Sequence, residues 1–175
     1  MTRALGVALL CLVLCGCGPR AASGTARVGE PFPDLELGAL WPGEAGTRLS
    51  AYRGRLVVLN LWAPWCAPCV EEMPRLQRLH ERLDGRRFAV IGATVDERFL
   101  AQEFLRDKSI DFPNFFVERR RVVTRRLGVH AFPVTFIIAT DGVLLARVVG
   151  WREWDTSDSM RRLRRLYQRR ARLES

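Results

Sequence analysis

The chain reads as an α/β protein built on one mixed sheet, and three stretches carry that reading. Leu56–Trp62 is a continuous apolar run of the kind buried on both faces of a sheet. It leads into residues 66–83, where Met73, Leu76, Leu79 and Leu83 recur at helical spacing and Arg and Glu fill the other face. Further on, the apolar runs 134–139 and 143–149 are joined by Thr140, Asp141 and Gly142, and an Asp-Gly pair between two such runs is a hairpin signal. Strand, helix, strand, helix, then a hairpin and a last helix make a mixed central sheet with helices on both faces.

The remaining elements follow in order. Residues 31–37 alternate apolar and polar and suit a short edge strand, and Pro42 and Gly43 mark a turn. Ser50 is placed to N-cap one helical turn that ends at Gly54. Pro74 falls inside the 66–83 helix and predicts a kink. Residues 88–95 form the next strand, 97–107 a helix with Phe104 and Leu105 inward, and 115–117 a short strand. A short helix over 122–127 is stopped by Gly128. The last helix, 154–173, lays Met160, Leu163, Tyr167 and Ala171 on one face and arginines on the rest.

At 175 residues the chain suits one α/β domain with a substantial core. Its formal net charge is +9, but the basic residues are scattered except in the last helix, and no nucleic-acid motif interleaves them. Nucleic acid is therefore not an expected partner. The N-terminus stands apart from the domain. Arg3 precedes an apolar stretch, 7–14, too short for a stable bilayer span. Gly16 and Cys17 follow, and together they resemble a bacterial lipoprotein signal, in which a small residue precedes the cysteine that is lipidated. The expected organisation is a signal peptide over 1–16, a lipidated tether over 17–27 and the domain over 28–175. Either this signal or an ordinary secretory one places the domain outside the cytoplasm, facing an oxidising compartment.

The cysteines narrow the chemistry. Cys11 and Cys15 leave with such a signal, and acylation occupies Cys17. Cys66 and Cys69 are then the free thiols, a pair that is either catalytic or a metal site. They sit where a strand delivers Cys-x-x-Cys to a helix N-terminus, and the exposed N–H groups and dipole there stabilise a thiolate on Cys66. One helical turn brings Cys69 close enough to close a disulfide. Cys66 is thus the expected nucleophile and Cys69 the resolving thiol.

The octet Trp62, Ala63, Pro64, Trp65, Cys66, Ala67, Pro68, Cys69, the Pro74 that follows, and Phe132, Pro133, Val134, Thr135, Phe136 at the hairpin together resemble the thioredoxin superfamily. The extracytoplasmic signal, the segment 28–34, a strand–helix insert across 88–117 and Glu72 make the chain similar to its TlpA/ResA-like membrane-tethered thiol–disulfide oxidoreductases. The resemblance implies a thioredoxin fold with an N-terminal β extension. It implies a cis proline at Pro133 facing the disulfide, and client contacts at Trp65, Pro68, Phe132 and Pro133. It also implies a partly buried Glu72 that exchanges a proton as Cys69 cycles. Asn60 stands where thioredoxin itself carries a buried aspartate, which moves proton handling toward Glu72. Trp62 is expected in the core, His80 on a solvated helix face and His130 in a loop.

The expected activity is reduction of protein disulfides, with no cofactor and no resident metal. The implied partners are disulfide-containing clients, such as apocytochrome c or oxidised assembly factors, an integral-membrane dithiol donor, and the membrane through the lipid anchor. Three other chemistries compete with this one. A peroxiredoxin resembles Pro-x-x-x-Thr-x-x-Cys, and Ala63 occupies the threonine position here. A disulfide-donating oxidase would run the same chemistry backwards. A Cu(I)-binding metallochaperone would use the two thiols as soft ligands, but copper-delivering relatives space them as Cys-x-x-x-Cys.

Overall fold

The computed structural model describes residues 25–118 and 121–174, so the signal, Cys17 and most of the expected tether lie outside the described residues. Seven strands form one mixed sheet: β1 (Glu36–Ala39), β2 (Thr47–Arg48), β3 (Leu56–Trp62), β4 (Phe88–Thr94), β5 (Asn114–Phe116), β6 (Val134–Ile138) and β7 (Leu144–Val149). Their order across the sheet is β2-β1-β5-β4-β3-β6-β7. Three helices complete the frame: α1 (Ala67–Arg82), α2 (Arg98–Asp107) and α3 (Ser157–Glu174).

β3 lies inside this sheet, between β4 and β6. It pairs in parallel with β4, from Leu56↔Phe88 to Trp62↔Thr94, and antiparallel with β6, from Val57↔Ile138 to Leu61↔Val134. Every residue of β3 and β4 is buried, as their continuous apolar sequences require. Alternation along β3 divides the core. Leu56, Val58 and Trp62 join Met73, Leu76 and Leu79 of α1, Leu105 of α2 and Leu163 of α3. Val57, Leu59 and Leu61 face the opposite cluster, with Phe32, Leu35, Val123, Leu127 and Phe136.

Chain direction explains the division. Two right-handed crossovers, β3-α1-β4 and β4-α2-β5, step the same way along the sheet and so place both helices on one face. The chain then returns to the far side of β3, and its crossing segment covers the other face. That segment contains a π-helical turn, Val122–Arg126, rather than the α-turn expected over 122–127. The Val129 N–H bonds the Val123 carbonyl, and Gly128 takes the left-handed conformation that lets the chain turn out (φ 66°).

Three local expectations change. The strand expected over 31–37 lies at Glu36–Ala39, and β2 shields it from being the sheet edge, while Pro31 bridges Val143. Ser50 does not cap its turn, a 3₁₀ turn at Leu49–Tyr52 that begins after Arg48. The Asp34 carboxylate accepts both the Ser50 N–H (2.8 Å) and its hydroxyl (3.1 Å), so a distant acid does the capping. His80 is half-buried against Phe112, ring centroids 6.2 Å apart, instead of lying on a solvated face. Contacts with the domain also begin before residue 28, since the Ala26 N–H bonds the Arg126 carbonyl.

Candidate active site

The end of β3 and the start of α1 build the site. Trp62 is fully buried, and its indole N–H donates to the Asn114 side-chain oxygen at 2.9 Å. Gly92 makes this possible, because a Cβ there would run into the Asn114 amide. The loop that follows is therefore anchored at its root. Cys66 takes the N-cap position of α1 in an extended conformation, and its sulfur accepts the Cys69 N–H at 3.3 Å. Pro68 fits the first turn, where its missing N–H leaves nothing unsatisfied. Cys66 and Cys69 form a disulfide with Cα atoms 5.2 Å apart. Cys66 is 5% exposed and Cys69 1%, while Ala67 and Pro68 between them are exposed.

Two aromatic residues border the pair. Trp65 is 62% exposed, and its ring lies 6.0 Å from that of Phe132 on the loop before β6. Its indole N–H donates to Asp96 at the entry to α2. The Phe132–Pro133 peptide bond is cis, and the Pro133 carbonyl accepts the Gly150 N–H at 2.9 Å. Trp65 and Phe132 thus form one apolar rim beside the cysteines. His130 is exposed and makes no hydrogen bond or ion pair among the described residues.

Glu72 is fully buried, one helical turn beyond Cys69 on the inward face of α1. Its Oε1 accepts the Trp154 indole N–H at 2.6 Å and the Arg152 backbone N–H at 3.1 Å, and its Oε2 accepts the Asn60 side-chain amide at 3.0 Å. Burial pushes its pKa up, against these donors and the Arg152 charge, to about 7. The same Asn60 amide also donates to Thr135 at 2.9 Å, while Asn60 Oδ1 has no partner. Proline 74, two residues after Glu72, removes one backbone donor inside α1, as its position required.

The structure therefore brings Cys66, Cys69, Trp65, Phe132 and Glu72 into one neighbourhood. Sequence reasoning missed Trp154, Arg152 and Thr135. Trp154 is 82 residues from Glu72, and an aromatic residue at a helix entrance looks like any other core residue until its partner is known.

Residues 28–147 match the family model described as AhpC/TSA. The chain belongs to the AhpC/TSA family. Within it, the thiol-disulfide oxidoreductase ResA of Geobacillus thermodenitrificans is 32% identical over 124 residues, covering 70% of this chain and 70% of ResA. ResA of Geobacillus kaustophilus matches equally, 32% over 124 residues and 70% of each chain. Among solved structures, a thiol:disulfide interchange protein DsbE of Chlorobium tepidum superposes with a TM-score of 0.70 at 25% identity, over 81% of this chain and 98% of that one. A DsbF homologue from Corynebacterium diphtheriae gives a TM-score of 0.66 at 24% identity, over 85% of this chain and 96% of that one. The fold is the thioredoxin fold, and the protein is a thiol–disulfide oxidoreductase of the TlpA/ResA-like kind.

Proposed function

We propose that this oxidoreductase works outside the cytoplasm as a reductant of protein disulfides, held to the membrane by a lipid on Cys17. The observation that carries the direction of attack is Cys66 at the N-cap of α1, where the helix dipole favours its thiolate by about 0.3–1 kcal/mol, up to about 2 when partly buried.

In the reaction, the Cys66 thiolate attacks one sulfur of a client disulfide, which breaks and releases one client thiolate. A mixed disulfide now joins Cys66 to the client. Cys69 then loses its proton to Glu72 and attacks the Cys66 sulfur, closing the Cys66–Cys69 disulfide and releasing the second client thiolate. Two electrons have passed from the dithiol to the client, and protons from Glu72 and solvent neutralise the product thiolates. An integral-membrane dithiol donor reverses the oxidation. Glu72 suits its role because a pKa of about 7 lets it both accept and give a proton near neutrality. The rim of Trp65, Pro68, Phe132 and Pro133 receives the client chain, with Pro133 offering no N–H of its own beside the cysteines.

Trapping tests the assignment of roles. Cys69→Ser is expected to accumulate a mixed disulfide with client proteins, and Cys66→Ser to abolish reduction of a model disulfide such as insulin. A trap formed by Cys66→Ser and not by Cys69→Ser would reverse the two roles.

A further inference from the structure

Residues 150–155, between β7 and α3, return to the buried face of α1 and close on Glu72. Two of the three donors to its carboxylate come from this loop, and both act on Oε1: the Trp154 indole N–H at 2.6 Å and the Arg152 N–H at 3.1 Å. Trp154 is 4% exposed, and its single polar atom is spent on this one acceptor. The loop is itself gripped. The Asp155 carboxylate accepts from Arg75 at 2.9 Å and Arg78 at 2.8 Å, its carbonyl accepts from Arg82 at 2.7 Å, and Arg75 also pairs with Glu153 at 3.4 Å. Arg75, Arg78 and Arg82 are three and four residues apart, so they form one stripe along α1. Burial opposes ionisation of Asp155, but its bonds to Arg78 and Arg75 outweigh that and hold its carboxyl below the usual range.

We infer that Trp154 is a positioning residue for exchange at the Cys66–Cys69 pair: its indole N–H fixes the Glu72 carboxylate, and the arginine stripe of α1 fixes the loop that carries the indole. The inference rests on the proton-exchanging role proposed for Glu72 and extends it to a second residue. One helix thus carries the cysteines at its start, the acid one turn on, and the clamp that brings a donor back to that acid.

The consequence has a sign. A hydrogen bond to a charged group is stronger than one between neutral groups. Without the indole N–H the ionised carboxylate loses a donor and is harder to form. The pH at which Glu72 gives up its proton therefore rises by about one unit or more. The other groups around it are the Cys66 and Cys69 thiols of α1 and the Arg152 charge of the loop, while Asn60 on β3 and Thr135 on β6 are neutral. Arg75 is already committed to Asp155 and Glu153.

The experiment replaces Trp154 with 3-benzothienylalanine, which keeps the shape and lacks the N–H, alongside Trp154→Phe. The rate of exchange with a small disulfide is followed from pH 5 to 9, and the carboxyl carbon of Glu72 is titrated by NMR in the same proteins. Both variants are expected to move the Glu72 titration and the inflection in rate to higher pH. Exchange at pH 7 should fall about fivefold or more and recover at high pH, and the effect should vanish in a Glu72→Gln background. An unmoved Glu72 titration would overturn the inference. So would a loss uniform in pH that persists in Glu72→Gln, which is the mark of packing alone. If the titration moves but neither these variants nor Glu72→Gln alters the pH–rate profile, the proton role of Glu72 itself fails, and Trp154 positions a group the reaction does not use.

Discussion

At Glu72 a carboxylic acid sits without solvent contact and with three donors, and burial outweighs them enough to leave its pKa at about 7. A folded-state pKa above the ordinary value of 4.5 means that the native protein binds this proton more tightly than the unfolded chain does. The associated stability is present in full below about pH 4.5 and is lost as pH rises through about 7. The difference amounts to about 3 kcal/mol. Urea denaturation of wild type and Glu72→Gln at pH 5 and pH 8 should show most of it: the wild type is expected to lose about 2.5 kcal/mol more than the variant between the two. Equal losses would mean that Glu72 titrates at an ordinary value. In kinetics, Glu72→Gln should slow exchange near pH 7 by at least about tenfold and remove the inflection there. An unaltered pH–rate profile would leave Glu72 a structural acid. The sequence made Glu72 legible through its distance from Cys69 and through the absence of an acid at position 60. It did not reveal the donors Trp154 and Arg152, or Thr135 as the acceptor beside Asn60, because these come from loops and strands that only the fold brings to α1.

The elements that aim the cysteines were the most readable part of the chain. β3 has the expected bounds, and α1 differs by one residue at each end, because strand apolarity and helical periodicity are local signals. The 3₁₀ turn and the π-turn were less readable. Asp34 caps the first from 16 residues away, and the second has no side-chain cap to announce it. A longer-range feature also went unseen: Gly92 on β4 leaves room for the Asn114 amide to hold Trp62. Gly92→Ala should therefore force the Asn114 amide off Trp62, at a cost of about 1–3 kcal/mol in thermal or denaturant stability. A change below about 0.5 kcal/mol would show that Asn114 moves aside freely. The α1 arginine stripe belongs to the same category, since Asp155 and Glu153 lie beyond any sequence window that would pair them with it.

For the whole molecule, the order of elements and the cysteine motif together led to the thioredoxin fold, and the strand order agrees, with β3 between β4 and β6 and β6 reversed beside it. The surplus charge was legible as scattered arginine, and it enters the site through the α1 clamp and through Arg152 beside Glu72. The expected tether leads to a prediction at this scale. A single acyl chain binds a membrane only marginally, and a lipoprotein cysteine of the resembled type carries more than one. Cys17→Ala should move the protein from the membrane fraction to the soluble one, and its retention there would mean that residues 7–14 anchor the chain themselves.

Redox poise tests the central claim of a reductant most directly. Ala67 and Pro68 put neither a histidine nor a charge between the cysteines, and Phe132 offers its neighbours no side-chain donor, so little beyond the helix N-terminus favours the reduced form. The measurement is equilibrium titration of the Cys66–Cys69 pair against glutathione. The account predicts a potential nearer the roughly −270 mV of thioredoxin than the roughly −120 mV of a strong oxidant. A value at the oxidising end, with strong disulfide-donating activity, would contradict it and make the protein an oxidase.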